Sequence, residues 1–450
     1  MNRAAGENPR RSPAKVATFE GRADAGTGPA PLTPSHFRWF VAGLLATCYV
    51  LSYIDRQVIS LLIDPIKESF GLSDTQIGLM QGLSFSLFYV VASLPLAWLA
   101  DRGYRAAVVG SCVAGWSAMT SLCGLAQNYW QLFLVRIGVA IGEAGLPPAA
   151  LTTLADLFDP RRIALPTAIF MLAPFIGGGL ALIGGGALYA AAGTWTLPPL
   201  PGIGELERWQ LVFLVVGAPG VLLAIPVYLV LRRCGRRGIA RGERSGDALR
   251  FLLRHWRFSL AYIVTVSLNV TLLAAYVTWL PAAVMRSKGI DQSEVGALFG
   301  PIYLVAGAIG TLGAGLIVTY VGRTDPVRQA LAFMRACALV MLPAAVVGPL
   351  VPSLWTEMAL VGLTVFLISG VNSLSSLPFQ YVAPLHLRAQ SIAILGLVSA
   401  SIGTGGGPIL AGALSDRLSF AEHPLSLALS LIAGTVLPVM MVLLTVAMRH

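Results

Sequence analysis

Four ionisable residues stand inside long apolar segments in the first half of this 450-residue chain. Asp55 and Arg56 are adjacent in the first segment, and Arg136 and Glu143 are seven residues apart in the fourth. An ionisable side chain costs about 2.5–3.5 kcal/mol at the centre of a bilayer, so each of the four is a candidate functional residue. Guanidinium groups bind phosphate through two parallel hydrogen bonds, and carboxylates can carry protons. These residue types indicate anion binding combined with proton transfer.

The positions of these residues along their segments indicate which of them meet. If both chain ends lie in the cytoplasm, Asp55 lies about seven residues, or ~10 Å, below the outer end of its helix, and Arg136 lies about six residues, or ~9 Å, below the same surface. The matching depths make an Asp55–Arg136 ion pair feasible. Glu143 follows Arg136 by two helical turns on the same face, which places it ~10 Å deeper, near the midplane.

The elements that must carry these residues are membrane-spanning helices. Hydrophobic residues make up 56% of the chain and charged residues only 12%, whereas about a quarter of a soluble domain is charged. Twelve apolar runs each approach the roughly 20 residues that are needed to cross a bilayer. Because lipid offers no hydrogen-bond partners, the backbone N–H and C=O groups of such runs must bond one another within helices. The sequence therefore predicts an all-α membrane protein with twelve transmembrane helices. The predicted spans are 38–62, 76–100, 106–126, 130–154, 164–190, 210–231, 258–281, 294–320, 327–349, 354–378, 389–413 and 425–448.

Basic residues outside the apolar runs set the predicted orientation. Most of them fall on the side that holds both termini, which the positive-inside rule places in the cytoplasm. Residues 1–35 contain no apolar run long enough for a signal segment and are predicted to be a disordered cytoplasmic tail. Residues 232–257 contain nine arginines. They are predicted to form a solvated cytoplasmic linker that touches anionic lipid headgroups, with a regulatory or partner-binding segment as the alternative.

The two halves of the chain share a repeat. Residues 71–78 (GLSDTQIG) align with residues 289–296 (GIDQSEVG) at an offset of 218 positions. The sequence therefore predicts two pseudo-symmetric six-helix bundles, residues 36–231 and 258–450, with a substrate site between them near the midplane. The same offset takes Asp55, Arg136 and Glu143 to apolar residues. Since the second half does without these charges, we expect them to serve function, and a structural ion-pair cluster is the alternative.

Residues 97–105 (AWLADRGYR), between the second and third apolar segments, resemble the signature loop of the major facilitator superfamily, G-x-x-x-D-R-x-G-R-R. Asp101, Arg102 and Arg105 match this pattern, whereas three other positions depart from it. The resemblance implies the superfamily fold. It also implies that Asp101, Arg102 and Arg105 form a conformational latch on the cytoplasmic face, with a surface ion pair that holds a tight turn as the alternative.

Three further motifs resemble the Spinster branch of this superfamily: residues 52–56 (SYIDR), 140–144 (AIGEA) and 155–158 (ADLF). The resemblance implies a secondary active transporter that moves a lysophospholipid or sphingosine-1-phosphate-like lipid by alternating access, driven by protons. In this hypothesis Arg136 and Arg56 bind the phosphate head, and Asp55 and Glu143 carry protons whose arrival frees Arg136. A major facilitator transporter of drugs, sugars or small organic anions is the alternative.

Composition and motifs also exclude several classes of function. The net charge of +10 could suit a nucleic-acid partner, but long apolar runs separate the basic residues. The five cysteines have no metal or redox spacing, and zinc-protease, nucleophile-elbow and P-loop motifs are absent. We therefore predict no nucleic acid, metal or cofactor and no enzyme activity, and we regard a receptor or structural protein as the weaker alternative. The expected partners are the lipid cargo, protons and membrane lipids, with a monomer in a bacterial inner membrane.

Overall fold

The apolar segments form long α-helices, as the absence of water from a bilayer requires. The computed structural model describes residues 34–159, 162–196, 198–202, 204–234, 246–321, 325–384 and 387–449. Within these ranges the chain is almost wholly helical and contains no β-strand. Nearly all of the predicted tail and the middle of the predicted linker (residues 1–33 and 235–245) lie outside the described residues.

Seventeen α-helices follow one another in the described part of the chain. Their bounds are α1 Ser35–Gln57, α2 Ile63–Phe70, α3 Asp74–Leu99, α4 Arg105–Cys123, α5 Tyr129–Glu143, α6 Leu146–Leu157, α7 Ala164–Ala192, α8 Arg208–Arg232, α9 Gly246–Arg254, α10 Trp256–Lys288, α11 Gln292–Val321, α12 Pro326–Val347, α13 Leu354–Ser373, α14 Leu377–Val382, α15 Arg388–Ser399, α16 Gly405–Arg417 and α17 Pro424–Ala447. Short 3-10 turns follow α1 and α12, and π-helical segments join α3 to α4 and α15 to α16.

Eleven helical spans within the described residues are long and apolar enough to cross a membrane. One of them, Asp74–Cys123, has 50 residues, and at about 1.5 Å per residue it would be far longer than the ~30 Å of hydrocarbon. The π-helical segment Ala100–Tyr104 breaks it, because Gly103 has a φ of 93°, which glycine adopts readily and other residues do not. The break yields α3 and α4, each able to cross once, and the spans confirm the predicted all-α membrane fold.

The same local turn occurs at the start of α3 and of α11. Gly71 ends α2 and Gly289 ends α10, and both are left-handed, with φ of 64° and 67°. Two residues later, residues 73–76 and residues 291–294 form capping boxes in which the first and last side chains each bond the other's backbone N–H. The 218-residue repeat is therefore present in hydrogen bonding as well as in sequence.

Glycines bring the two halves of the molecule into close contact, where α3 packs on α16 and α7 packs on α11. A Cβ added to Gly82 would lie 2.2 Å from the carbonyl oxygen of Gly405. Apart from a bond from Gln57 to Val277, all described hydrogen bonds between the halves involve residues 64–75. We call the end of the molecule that holds residues 64–75 and the α10–α11 turn the sealed end.

Replacing Gly82 with Ala should destabilise the packing of α3 on α16. The new methyl group would meet the backbone of Gly405, which cannot rotate away as a flexible side chain can. Overpacking of this kind typically costs about 1–3 kcal/mol, so we expect a lower midpoint of thermal unfolding in detergent. Gly43→Ala is the matched control, since nothing lies within 4 Å of a Cβ at Gly43. Equal effects of the two substitutions would contradict this account of the contact.

Helix α9 lies inside the segment predicted as a solvated linker. Its Ala248 and Leu252 are buried, whereas Leu249 and Leu253 are more than half exposed. It contacts α10 and α15. The apolar residues of 248–253, interrupted only by Arg250, were the sequence signal for this helix. The described part of the linker is therefore partly packed against the second half.

Candidate functional site

A cavity of about 540 Å³ lies between the two halves. Its first-half wall comes from α1 with the 3-10 turn that follows it, and from α3, α5 and α7. Arg56 and Arg136 are the only charged residues among the described residues that line it. The second-half wall is uncharged and consists of Val270, Leu273, Ala274, Val277, Thr278, Tyr303, Thr311, Asn372, Ser373, Ser376, Thr404 and Pro408. The cavity is therefore cationic on one side and apolar to weakly polar on the other.

Arg136 is a buried cation on α5, only 1% exposed. Its Nη2 donates to Gln81 Oε1 at 3.3 Å, its Nη1 donates to the backbone carbonyl oxygen of Asp55 at 3.5 Å, and its Nε has no hydrogen-bond partner. No carboxylate of the described residues lies within 4 Å of the guanidinium. An unpaired buried charge is costly, so Arg136 is suited to bind an anion that enters the cavity.

Arg56 and Glu143 form an ion pair that joins α1 to α5, with 2.7 Å between Arg56 Nη2 and Glu143 Oε2. The Glu143 side chain is 1% exposed and the Arg56 side chain 23%, so the guanidinium faces the cavity and the carboxylate lies behind it. The guanidinium also lies 3.9 Å from the centroid of the Phe85 ring, a cation–π contact. The positive charge of Arg56 is therefore compensated by a carboxylate only while Glu143 is ionised.

Asp55 faces the interior of the first-half bundle. Its residue exposure is 2%, and its carboxylate lies beside Trp116 and Thr120 of α4. Consecutive residues of an α-helix point about 100° apart, so Asp55 and the neighbouring Arg56 face different surroundings. Asp55 does not line the cavity. Any proton that it carries would have to reach it through the packed interior.

The structure brings the four embedded charges together but pairs them differently from the expectation. Similar depth made an Asp55–Arg136 ion pair feasible, whereas the observed ion pair is Arg56–Glu143. Arg136 hydrogen-bonds the backbone carbonyl of Asp55 and forms no ion pair with the Asp55 carboxylate. Depth fixes the position along a helix axis but not the direction around it. Glu143 therefore holds Arg56 and not Arg136, contrary to the expectation that it acts on Arg136.

Two of the predicted latch residues, Asp101 and Arg102, lie in the break between α3 and α4, and the third, Arg105, begins α4. Arg105 forms an ion pair with Asp156 of α6, and the Arg102 guanidinium lies 3.6 Å from the centroid of the Trp98 ring. Asp101 is exposed and makes no ion pair with another described residue. In this conformation the latch connects α4 to α6 through Arg105 and Asp156, and the switching role of all three motif residues stays a prediction.

Two residues that support the arginines were missed at the level of sequence. Gln81 accepts a hydrogen bond from Arg136, and Phe85, one turn further along α3, lies against Arg56. The signal for Gln81 was its amide group within an apolar segment, because a polar group in lipid needs a partner. Phe85 carries no signal that separates it from packing residues.

An ionic network at the sealed end also went unpredicted. Arg286 of α10 donates to Asp74 of α3 at 2.8 Å and to Asp64 of α2 at 2.6 Å. Asp74 also pairs with Lys67, and Asp416 of α16 accepts hydrogen bonds from the first backbone N–H groups of α3. These residues lie at the ends of apolar runs, where sequence alone does not separate them from solvated charges. The network joins the two halves.

A helical membrane fold with repeated halves, a cavity between them and one closed end is the architecture of a membrane transporter. The sequence profile of the Major Facilitator Superfamily matches residues 45–408. The chain belongs to this superfamily.

Similar proteins indicate which members of this superfamily the chain resembles. The chain is 33% identical over 388 residues to an MFS-type efflux pump of Mycolicibacterium smegmatis, with 85% of each protein covered. It is 29% identical over 397 residues to Protein spinster homolog 1 of Xenopus laevis, covering 82% of this chain and 71% of the relative. Its fold is similar to that of a bacterial homolog of the human lysosomal transporter Spinster, solved in an inward-facing and occupied conformation, with a TM-score of 0.76, 26% identity and coverage of 93% of this chain and 96% of the other. These relatives confirm the resemblance to Spinster proteins, and they are transporters rather than enzymes.

Proposed function

We propose that the protein is a proton-coupled secondary transporter of a lysophospholipid or a sphingosine-1-phosphate-like lipid. The observation that carries this proposal is the division of the cavity into a wall with two guanidinium groups and an uncharged wall. Arg136 and Arg56 would bind the phosphate head through paired hydrogen bonds, which arginine forms better than lysine. The opposite wall would contact the apolar tail.

An apolar crevice next to the cavity supports an elongated cargo. It shares Gln57, Leu273, Val277 and Tyr303 with the cavity and continues between α10, α11 and α13. Its volume is about 20 Å³, so a lipid tail would enter only as side chains move apart. Among the described residues, no charged side chain lines the crevice, which suits the apolar tail of a lipid whose head is bound by the arginines.

Glu143 supplies the proposed link between protons and cargo. While ionised, it compensates the charge of Arg56. Protonation would remove that charge and leave Arg56 available for the phosphate group, and deprotonation would restore the ion pair and favour release. Binding of cargo or of a proton shifts the equilibrium between the inward-facing and outward-facing conformations only if the two conformations have different affinities for it. We propose Asp55 as a second proton carrier and Asp101, Arg102 and Arg105 as the latch.

The proposed orientation places both termini in the cytoplasm and the sealed end on the other side of a bacterial inner membrane. It rests on the positive-inside rule. In this orientation the present conformation is inward-facing, and the cargo would enter from the cytoplasmic side or leave towards it. The transporter would act as a monomer in contact with membrane lipids.

The proposal predicts a ranking of cargoes in liposomes that contain the purified protein and an imposed pH gradient. Sphingosine 1-phosphate and lysophosphatidate should be transported faster than sphingosine and monoacylglycerol, which carry the same kinds of tail without phosphate. Soluble organic phosphates test whether the tail is needed. Faster transport of the phosphate-free pair would contradict the role of the two arginines.

A second candidate function follows from the M. smegmatis relative, which is described as an efflux pump. The cavity is lined by several aromatic rings, which suit flat apolar compounds. Two arginines disfavour cationic compounds, so this alternative concerns neutral or anionic drugs. Transport of such drugs that a lysolipid does not inhibit would favour it.

A further inference from the structure

A second cavity lies outside the transport pathway, at the end of the molecule opposite to the sealed end. It encloses about 190 Å³ between the beginning of α4, the end of α6 and the end of α8. Among the described residues, no side chain lines both this cavity and the central one. A water molecule occupies about 30 Å³ of liquid, so the space suits a group the size of a few waters, such as a phosphate ester.

The charges around this second cavity favour an anion. Arg105 and Arg232 line it together with a single carboxylate, that of Asp156. Arg105 donates to Asp156 through Nη1, while its buried Nε and Nη2 have no hydrogen-bond partner. Arg232 makes no ion pair with another described residue. The wall also contains the first turn of α4, which no side chain caps, and the positive end of a helix attracts anions.

The protein surface next to this cavity is suited to lipid chains. Leu222, Ile225 and Leu229 of α8 are 78%, 67% and 49% exposed. Their spacing of three and four residues places them on one face of the helix, which leads towards Arg232 at its end. In a membrane this face meets hydrocarbon. A phospholipid with its headgroup in the cavity would therefore have an apolar surface for its chains.

We propose that the cavity between the ends of α4, α6 and α8 binds a phosphate-bearing anion through Arg105 and Arg232. The apolar face of α8 favours the headgroup of an acidic phospholipid as the source, and a free phosphate ester shares the same chemistry. Arg105 belongs to the latch motif and holds α4 to α6 through Asp156. Occupation of the cavity therefore adds a contact beside the break between α3 and α4, which links lipid composition to the latch.

The proposal can be tested on the purified full-length chain in detergent by native mass spectrometry, with phosphatidylglycerol, phosphatidylcholine and glycerol 3-phosphate as separate probes. We expect phosphatidylglycerol to bind more tightly than phosphatidylcholine. Arg232→Gln should weaken phosphatidylglycerol binding about tenfold, as expected for losing a charged hydrogen bond. Arg233→Gln is the matched control, because Arg233 is exposed like its neighbour Arg232 but does not line the cavity. The loss caused by Arg232→Gln should be the same in the wild type and in an Arg136→Gln background, which separates the site from the central cavity.

Each result decides for or against the site. Glycerol 3-phosphate binding that depends on Arg232, without preference for phosphatidylglycerol, would support the site with a free phosphate ester as its ligand. Equal losses from Arg232→Gln and Arg233→Gln, or no loss from Arg232→Gln, would overturn the proposal, since surface charge alone would then explain binding. Arg105→Gln should weaken binding further. If that variant fails to fold because the Asp156 pair is lost, the result for Arg232→Gln still shows whether the cavity binds the anion.

Discussion

Replacing Arg136 with Gln should abolish transport of a phosphate-bearing lipid while the protein remains folded. Hydrogen bonds to charged groups contribute about 1.5–3 kcal/mol each, so losing a bidentate contact should lower affinity roughly 100-fold or more. Arg136 is buried and has no carboxylate partner among the described residues. Removing an uncompensated buried charge should not destabilise the fold, so the midpoint of thermal unfolding should stay the same or rise.

Two further variants separate charge from general effects of substitution. Arg136→Lys keeps the charge but not the planar pair of donors, so we expect a partial loss of about tenfold. Arg335→Gln removes another arginine of the membrane-spanning region, one that is exposed, donates to Thr445 and does not line the cavity. It should transport like the wild type. If Arg136→Gln binds lysophosphatidate as tightly as the wild type, the assignment of Arg136 to the cargo is wrong.

Replacing Arg286 with Gln should open the sealed end. Arg286 holds α10 to α2 and α3 through Asp64 and Asp74, with three nitrogen–oxygen distances between 2.6 and 2.9 Å. Each hydrogen bond to a charged group contributes about 1.5–3 kcal/mol, so the conformational equilibrium should shift roughly tenfold to a hundredfold towards the opposite conformation. Asp74 keeps Lys67 and Ser415 as partners, which should preserve the fold of the first half.

Cysteine labelling measures this shift. Ser60 lines the cavity and is 1% exposed, so a cysteine placed there should react slowly with an impermeant thiol reagent added at the sealed end, and much faster after Arg286→Gln. Four of the native cysteines are buried, and Cys234 lies near the other end of the molecule. Arg417→Gln is the control, since Arg417 is exposed and makes no ion pair with another described residue. Unchanged labelling after Arg286→Gln would show that the network does not close this end.

The sequence was sufficient to predict the fold class, because long apolar runs in lipid can form their backbone hydrogen bonds only within helices. It also predicted that Asp55, Arg56, Arg136 and Glu143 gather in one half. Their pairing could not be predicted, because one residue of helix changes direction by about 100° while depth changes by only ~1.5 Å. Whether Arg56 or Asp55 faced Glu143 depended on how α1 is rotated against α5, which is set by packing across the whole bundle.

Contacts between distant segments were the other part that the sequence left open. Arg105 was predicted to belong to the latch with Asp101 and Arg102, and its ion pair with Asp156 was not foreseen. Arg286 meets Asp64 and Asp74 across the two halves. Each of these charges has the same local pattern as a solvated residue. Only the approach of α10 to α2 and α3, and of α4 to α6, identifies their partners.

The dependence of transport on a pH gradient tests the central claim most directly, namely that Glu143 controls the charge available to the cargo at Arg56. Wild-type protein, Glu143→Gln and Asp55→Asn would be compared in liposomes by lysophosphatidate flux with and without an imposed gradient. Glu357→Gln is the matched control, a fully buried carboxylate that pairs with Lys288 in the other half, away from the cavity. We predict that Glu143→Gln still binds cargo but loses the dependence on the gradient, that Asp55→Asn weakens it, and that Glu357→Gln keeps it. Wild-type dependence in Glu143→Gln would contradict the central claim, and wild-type dependence in Asp55→Asn as well would remove the proposed proton role from both carboxylates.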